Sequence, residues 1–256
     1  MNATQQLQLW GVPGLPVVRA GDDLAALLLA GLERAGLALA AGDVVVVAQK
    51  VVSKSEGRMV DLATVTPSSR ALELGVIVQK DPRLVELVLG ESRRVVRMAK
   101  DVLIVEHRLG FVMANAGVDQ SNVAAPGGGE FALLLPEDPD GSARRLRAAL
   151  AERTGVAVGI VISDSFGRPW RVGTVGVAIG AAGLRSVLDL RGQPDLFGRQ
   201  LKVTVVGHGD EIAAAASLVM GQAAEACPMV LVRGLAGGGD IPAAALLRPP
   251  KEDLFR

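Results

Sequence analysis

Apolar and polar positions fall into short alternating blocks along the chain, and most blocks announce an element. Residues 21–36, GDDLAALLLAGLERAG, place acids first, an apolar stripe at helical spacing next and a glycine last, the polarity expected of a capped helix. Residues 42–53, GDVVVVAQKVVS, form an almost unbroken β-branched run and predict one buried strand. TPSSRALEL and DPRLVELVLGESRRVVR open on turn residues and continue helically through Leu84, Leu87 and Val88. VLIVEHRLGFVMANAG predicts a hairpin turning near Gly110. VAAPGGGEF reads as a glycine-rich loop, and LLLPEDPD as an extended entry to the amphipathic helix DGSARRLRAALAERTG. Further strands are expected at VAVGIVISD, LKVTVVGHGD and PMVLVRGL. The glycine- and alanine-rich VGTVGVAIGAAGL predicts tightly packed strand or turn. DEIAAAASLVMGQAAEA predicts a helix that includes Met220, Gly221 and Gln222, and RPPKEDLFR an exposed tail.

Strands and helices interleave without a fixed repeat, so the expected class is α/β or α+β, with mixed sheets flanked by helices. Residues 1–256 read as one domain, with room for two lobes. The only weak point for a linker is 124–130.

Composition narrows the function. Basic and acidic residues balance at 27 each, which argues against a broad nucleic-acid-binding face. Apolar runs fall far short of the roughly 20 residues of a membrane helix. The opening MNATQQLQLW lacks the pattern of a signal peptide, so a cytoplasmic location is expected. The one cysteine, Cys227, excludes an intrachain disulfide and a cysteine-built metal cluster. With two histidines and no tyrosine, a metal site would be oxygen-liganded, which suits magnesium, manganese or calcium. No Walker loop, G-x-G-x-x-G or G-x-S-x-G occurs.

Two stretches end apolar runs on bare acids: NAGVDQSN at Asp119 and VISDSFGRPWR at Asp164. One aspartate after a strand most often caps a turn. Two of them, each flanked by hydroxyl or amide side chains, shift the balance toward a shared divalent cation that clamps phosphate oxygens. Ser165 is a candidate neutral ligand, and Asn122 a candidate phosphate or ribose contact. Lys50 and Lys54 are expected at a strand end, where their spacing of four lets both point one way as phosphate counter-charges; a solvated loop is an equal reading. Arg168 and Arg171, beside Trp170, suit anion binding or an exposed rim. Met220 is most simply core, while Gln222 is the polar residue of an alanine-rich stretch and a candidate site residue.

Taken in order, GLPVVRAGDDL, GDVVVVAQKVVSKSEGR, DPRLVELVL, NAGVDQSN, LLLPEDPDGSARRLR, VISDSFGRPWRVGTVGVAIGAAGL, DLRGQPDLFGR and DEIAAAASLVMGQAAE resemble the coenzyme F420-0:L-glutamate ligase (γ-glutamyl ligase) family, from about residue 14 to residue 234. The resemblance implies a non-Walker, non-Rossmann α/β fold that forms an intertwined dimer. It implies addition of L-glutamate to coenzyme F420-0, with extension of a γ-linked tail in many members. GTP and two Mg2+ or Mn2+ ions, with K+ as a further cation, are the implied cofactors. By motif it makes Asp119, Asp164, Ser165 and Gln222 metal ligands, with Gln222 standing where some relatives have glutamate. Asp119, Asp164, Lys50 and Lys54 would carry the chemistry. Nucleotide contacts would fall on Leu15, Pro16, Val17, Val18, Gln49, Lys50, Lys54, Asn122, Met220 and Gly221, and substrate contacts on Arg168 and Arg171. One branch of the family carries a further nitroreductase-like domain, which is expected to be absent here. Two other classes stay open at this point: a metal-dependent phosphohydrolase, and a non-catalytic nucleotide- or deazaflavin-binding module.

Overall fold

The computed structural model of the chain describes residues 6–123, 128–235 and 238–254. In order the elements are β1 (Gln8–Gly11), α1 (Leu24–Arg34), β2 (Val44–Ala48), α2 (Gln49–Ser55), β3 (Met59–Asp61), α3 (Ser69–Val78), α4 (Pro82–Gly90), β4 (Ser92–Ala99), β5 (Val102–His107), β6 (Val112–Ala114), β7 (Phe131–Leu133), α5 (Pro139–Thr154), β8 (Gly159–Arg168), β9 (Arg171–Ala182), β10 (Leu188–Asp189), β11 (Val205–Val206), α6 (His208–Met220) and β12 (Met229–Arg233). The protein is thus mixed α/β. The predicted loop around 124–127 lies outside the described residues.

A five-stranded sheet in the order β1-β12-β2-β8-β9 forms the centre. Only β2 and β8 run parallel, from Val44 opposite Gly159 to Ala48 opposite Ser163. Their side chains are buried on both faces, which explains the continuous apolar runs. On one face Val45, Val47, Ile160 and Ile162 pack with Leu28 and Leu32 of α1 and Leu146 and Leu150 of α5. On the other, Val44, Val46 and Val161 pack with Ile212, Ala213 and Ala216 of α6.

The glycine- and alanine-rich segment is β9, held between α5 and α6. A Cβ at Gly176 would stand 2.5 Å from the carbonyl oxygen of Ala213 in α6, and one at Gly180 would stand 2.4 Å from that of Pro139 in α5. A bulge at Ile179, where the pairing steps from Ile162–Gly180 to Ser163–Ala178, brings Gly180 round to the α5 side.

A third apolar cluster joins α3 and α4 to the β4-β5-β6 sheet through Leu74, Val85, Leu103 and Val105. A polar clamp ties it to the rest. The Arg58 guanidinium donates to the Leu135 carbonyl at 2.9 Å and to Glu91 at 3.0 Å. Glu91 also accepts from Arg108 at 3.0 Å and meets the buried His107 ring at 3.5 Å. Burial alone would raise the Glu91 carboxyl, but His107, Arg108 and Arg58 together hold it down at about 2.

Four expectations need correction. The helical reading of DPRLVELVLGESRRVVR holds only to Gly90, and Ser92–Ala99 is strand β4. The run 42–53 is not one strand: it turns at Ala48 from β2 directly into α2. The expected strand in LKVTVVGHGD shrinks to Val205–Val206. The last predicted helix stops at Met220, because Gly221 takes a positive φ of 72° with its amide returning to the Ser217 carbonyl. The apolar content of these segments was legible; the turn that interrupts each run was not.

Gly180→Ala is expected to destabilise the protein by roughly 2–3 kcal/mol, since the obstacle is backbone that cannot rotate away. Urea unfolding of the purified variant measures it, and an unchanged midpoint would contradict the close α5–β9 approach.

Candidate functional site

The register of β2 against β8 decides where chemistry collects. Both strands end toward the same edge, so α2 begins beside Asp164, one residue beyond the last β2–β8 pair. Strand ends of a parallel pair are the usual place for sites in α/β proteins. A cleft of about 830 Å³ opens there. Its wall is built by the loop Leu15–Val18, the start of α2, residues 119–123, the β8–β9 ladder around Asp164, and the turn after α6.

Each wall has a local anchor. Arg34 of α1 donates to the carbonyls of Pro13 and Gly14 at 3.1 and 2.9 Å, which fixes the approach to Leu15. Asp119 exchanges backbone hydrogen bonds with Leu133 at 3.1 and 2.8 Å. The turn before it carries Asn115, Ala116 and Gly117 at φ of 52°, 52° and 67°. Left-handed geometry at two non-glycine residues costs energy, and here the buried Ala116 and the tight fit of Gly117 on Leu135 hold it.

Lys50 and Lys54 lie on α2, not at a strand end as the sequence suggested, so their spacing of four is one helical turn on one face. Lys50 Nζ contacts Asp119 Oδ2 at 2.6 Å and donates to Ser121 Oγ at 2.6 Å. Lys54 Nζ donates to the Asn122 carbonyl at 2.7 Å. Burial, helped by repulsion from Lys50, lowers the Lys54 ammonium below its ordinary value. Asp119 also accepts from the Ser121 amide at 2.7 Å and hydroxyl at 2.9 Å. Burial alone would raise its carboxyl, but Lys50 and Ser121 bring it below the usual range.

Asp164 differs. Its carboxylate accepts from the Ser165 amide at 2.8 Å and has no ion-pair partner among the described residues. Burial, with the nearby Asp119 charge adding to it, pushes Asp164 up to about 6 against the opposing pull of Ser165 and Lys50. Ser165 Oγ donates to Gln222 Oε1 at 2.8 Å, bringing these two neutral oxygens together. Asn122 Nδ2 reaches the Ala223 carbonyl at 3.4 Å, across the cleft mouth. Gln49 is buried and accepts from the Ser53 hydroxyl at 2.9 Å.

Leu15, Pro16, Val17, Val18, Gln49, Lys50, Lys54, Asp119, Asn122, Asp164, Ser165, Met220, Gly221 and Gln222 all line this one cleft. Arg168 and Arg171 do not. They sit at the far tip of the β8–β9 hairpin, where Arg168 reaches the Gly173 carbonyl at 3.4 Å. Sequence reasoning passed over Ser121, Ser163, Thr174 and Glu225, which also line the cleft. Ser121 was visible as a hydroxyl two residues from Asp119. Glu225 was hidden because the helix was carried past its true end.

The donor set fits a magnesium- or manganese-type ion, being all oxygen: two carboxylates, hydroxyls and an amide carbonyl. No group of three histidine, cysteine, aspartate or glutamate side chains converges among the described residues. Such a cation would therefore bind through one or two acids and complete its shell with substrate oxygens, the habit of Mg2+ at phosphate sites.

Residues 14–234 match the model of the F420-0:Gamma-glutamyl ligase family. The chain belongs to that family. It is 47% identical over 253 residues to a protein of Methanothermobacter thermautotrophicus named coenzyme F420:L-glutamate ligase, covering 98% of this chain and 99% of that one. Proteins of the same name from Methanopyrus kandleri and Archaeoglobus fulgidus are 48% and 42% identical, over 100% and 98% of this chain and 100% and 97% of theirs. As a member of this family the chain is a ligase, an enzyme, and it aligns with those relatives over nearly their whole length. No helix among the described residues is long and apolar enough to cross a membrane.

The raised Asp164 carboxyl has a measurable consequence. The stability gained by protonating it is fully present below its ordinary value of 3.8 and lost as pH rises through about 6. With chelator present, Asp164→Asn is therefore expected to stabilise the protein at pH 7–8 by on the order of 1 kcal/mol, discounted for partial exposure. The gain should vanish below about pH 4. Thermal melts of both proteins across this range test the sign.

Proposed function

We propose that this protein joins L-glutamate to the carboxylate of coenzyme F420-0, consuming GTP, and that it extends the product with further γ-linked glutamates. The observation that carries this reading is the placement, in one cleft, of two carboxylates and two ammonium groups, the latter on a single turn of α2. The family's relatives lend the substrate.

Making an amide from a carboxylate requires an activated acyl group. In this reading the acceptor carboxylate attacks the γ-phosphorus of GTP, the bond to the β-phosphate oxygen breaks, and GDP leaves. The resulting acyl phosphate is attacked by the glutamate amine, which releases phosphate and a proton. Asp119, Asp164, Ser165 and Gln222 would hold two divalent cations. When bound, such ions neutralise phosphate charge and align the reacting oxygens. Lys50 and Lys54 would stabilise charge developing on the transferred phosphoryl group, the main demand of this chemistry. The apolar loop Leu15–Val18 and Met220 would cover the nucleotide, with Gln49 and Asn122 as polar contacts. The cleft has room for a nucleotide and part of an acceptor.

A second copy of the chain would complete the molecule. Beyond Ser165 the β8–β9 hairpin extends as a two-stranded arm, with Trp170 at 89% and Val172 fully exposed. Leu196 and Phe197, on the following loop, are 98% and 94% exposed. So many large apolar side chains in solvent favour coverage by a partner, and an intertwined homodimer would provide it. In that assembly Arg168 and Arg171 would be carried to the partner's surface rather than to their own cleft.

Mass spectrometry after incubating protein, F420-0, glutamate, GTP and manganese is expected to show one mass step for each glutamate added. GTP hydrolysis that proceeds equally without glutamate and acceptor would instead support a phosphohydrolase. Asp119→Asn is expected to lower turnover at least about a hundredfold, in line with losses of charge-stabilising groups, with an unchanged circular dichroism spectrum. Near-normal rates would remove Asp119 from the catalytic set. For the dimer, sedimentation should show Trp170→Glu/Phe197→Glu as a single chain and the unsubstituted protein as a pair.

A further inference from the structure

We infer that Lys50 competes with a divalent cation for Asp119, and that the triphosphate of the nucleotide resolves this competition by drawing the ammonium onto itself. The cleft would then take cation and nucleotide as one unit and bind either alone weakly. The inference rests on the proposed function above for the identity of both ligands.

The argument starts from the oxygen atoms. Lys50 Nζ lies 2.6 Å from Asp119 Oδ2, and the Ser121 hydroxyl donates to the same oxygen at 2.9 Å. The other oxygen, Oδ1, accepts the Ser121 amide at 2.7 Å. Both carboxylate oxygens are therefore engaged by donors, and the shorter contact is a full positive charge. A cation at Asp119 must displace it, because an ammonium and a divalent ion at the same oxygen repel at contact distance. Asp164 stands beside this pair without an ammonium of its own among the described residues, yet near enough for Lys50 to lower it and Asp119 to raise it.

Charge decides which ligand is admitted. Asp119 and Asp164, when ionised, are balanced by Lys50 and Lys54, and the exposed Glu225 on the cleft wall adds one negative charge. A bare divalent cation would bring more positive charge than the cleft offsets and leave Lys50 only the neutral oxygens of Ser121 as acceptors. A nucleotide without its cation would add four negative charges beside the two acids. The two divalent cations of the proposed site cancel the four charges of the triphosphate, and its oxygens give Lys50 an acceptor once it leaves Asp119. Lys50 is on the first turn of α2 and lines the cleft, so its flexible four-carbon stem can carry the ammonium from Asp119 to a triphosphate bound there. Lys54 is not part of this exchange, since it holds the Asn122 carbonyl and touches neither acid.

The test reads binding, not turnover. Titrate MnCl2 into the chelator-stripped protein by electron paramagnetic resonance, with and without a non-hydrolysable GTP analogue and with no acceptor. For the unsubstituted protein the analogue should tighten Mn2+ binding more than about tenfold, and Mn2+ should tighten the analogue by the same factor. Lys50→Met should bind Mn2+ alone at least about fivefold tighter than the unsubstituted protein, and the tightening by the analogue should shrink. Lys50→Arg, which keeps the charge, should restore weak binding of Mn2+ alone. Equal or weaker binding of Mn2+ by Lys50→Met would overturn the inference. Asp119→Asn separates the two levels: unaltered Mn2+ binding there in the presence of the analogue would overturn the ligand assignment itself, whatever Lys50 does.

Discussion

The register between β2 and β8 is the constraint on which the rest depends. Because these two strands run parallel and finish level, at Ala48 and Ser163, the chain must leave both at the same edge. One exit is the first turn of a helix carrying two lysines, and the other continues as a strand carrying an aspartate. The burial of Val44–Val47 and Ile160–Ile162 on both faces fixes that register. A slip of one residue would turn buried valines toward the opposite layer and carry Asp164 to the wrong face. The chemistry at the cleft is thus set by apolar contacts several residues away.

The second determinant is the distribution of charge. Asp119 is neutralised by an ammonium in contact, while Asp164 is neutralised only through space and by a raised affinity for a proton. Two carboxylates of one type therefore sit in one cleft with different tendencies, set by what each touches. Elsewhere the protein pairs its buried charges closely: Asp43 takes both arms of Arg233 at 2.7 Å, and Glu91 gathers two arginines. The exposed tie between Arg153 and Asp23, by contrast, joins α5 to the cap of α1 in water and contributes little.

Much of this could be read from the chain. The alternation of apolar strands with capped helices gave the class, and Asp23 and Gly155 cap where the pattern placed them. The two acids were conspicuous because each ends an apolar run. What stayed hidden was tertiary. A run such as VVVVAQKVVS satisfies both strand and helix periodicity, and only the packing of Val51 and Val52 into the core shows where one gives way to the other. Alanine-rich residues 210–226 propose a helix well past Met220, since nothing local marks Gly221 as left-handed. The ladder from Asp119 to Leu133 spans a glycine-rich stretch that carries no pairing signal, and the contact of Lys50 with Asp119 joins residues 69 positions apart.

The bulge at Ile179 acts as a phase shifter for the whole outer hairpin. Inside it, β9 contributes Ile179 and Ala182 to the α5 layer and Ala181 to the α6 layer; outside it, Thr174 and Gly176 form part of the cleft wall. The extra residue converts one alternation into the other. Chain length between Gly176 and Ala182 is consequently a coded quantity. Losing a single residue there, even a small one with few contacts, would invert every side chain from that point to the arm's tip, while leaving the composition of the strand almost untouched. Insertions and deletions in this stretch are thus far more damaging than substitutions of similar size, and the family's length should be held most tightly where its side chains are smallest.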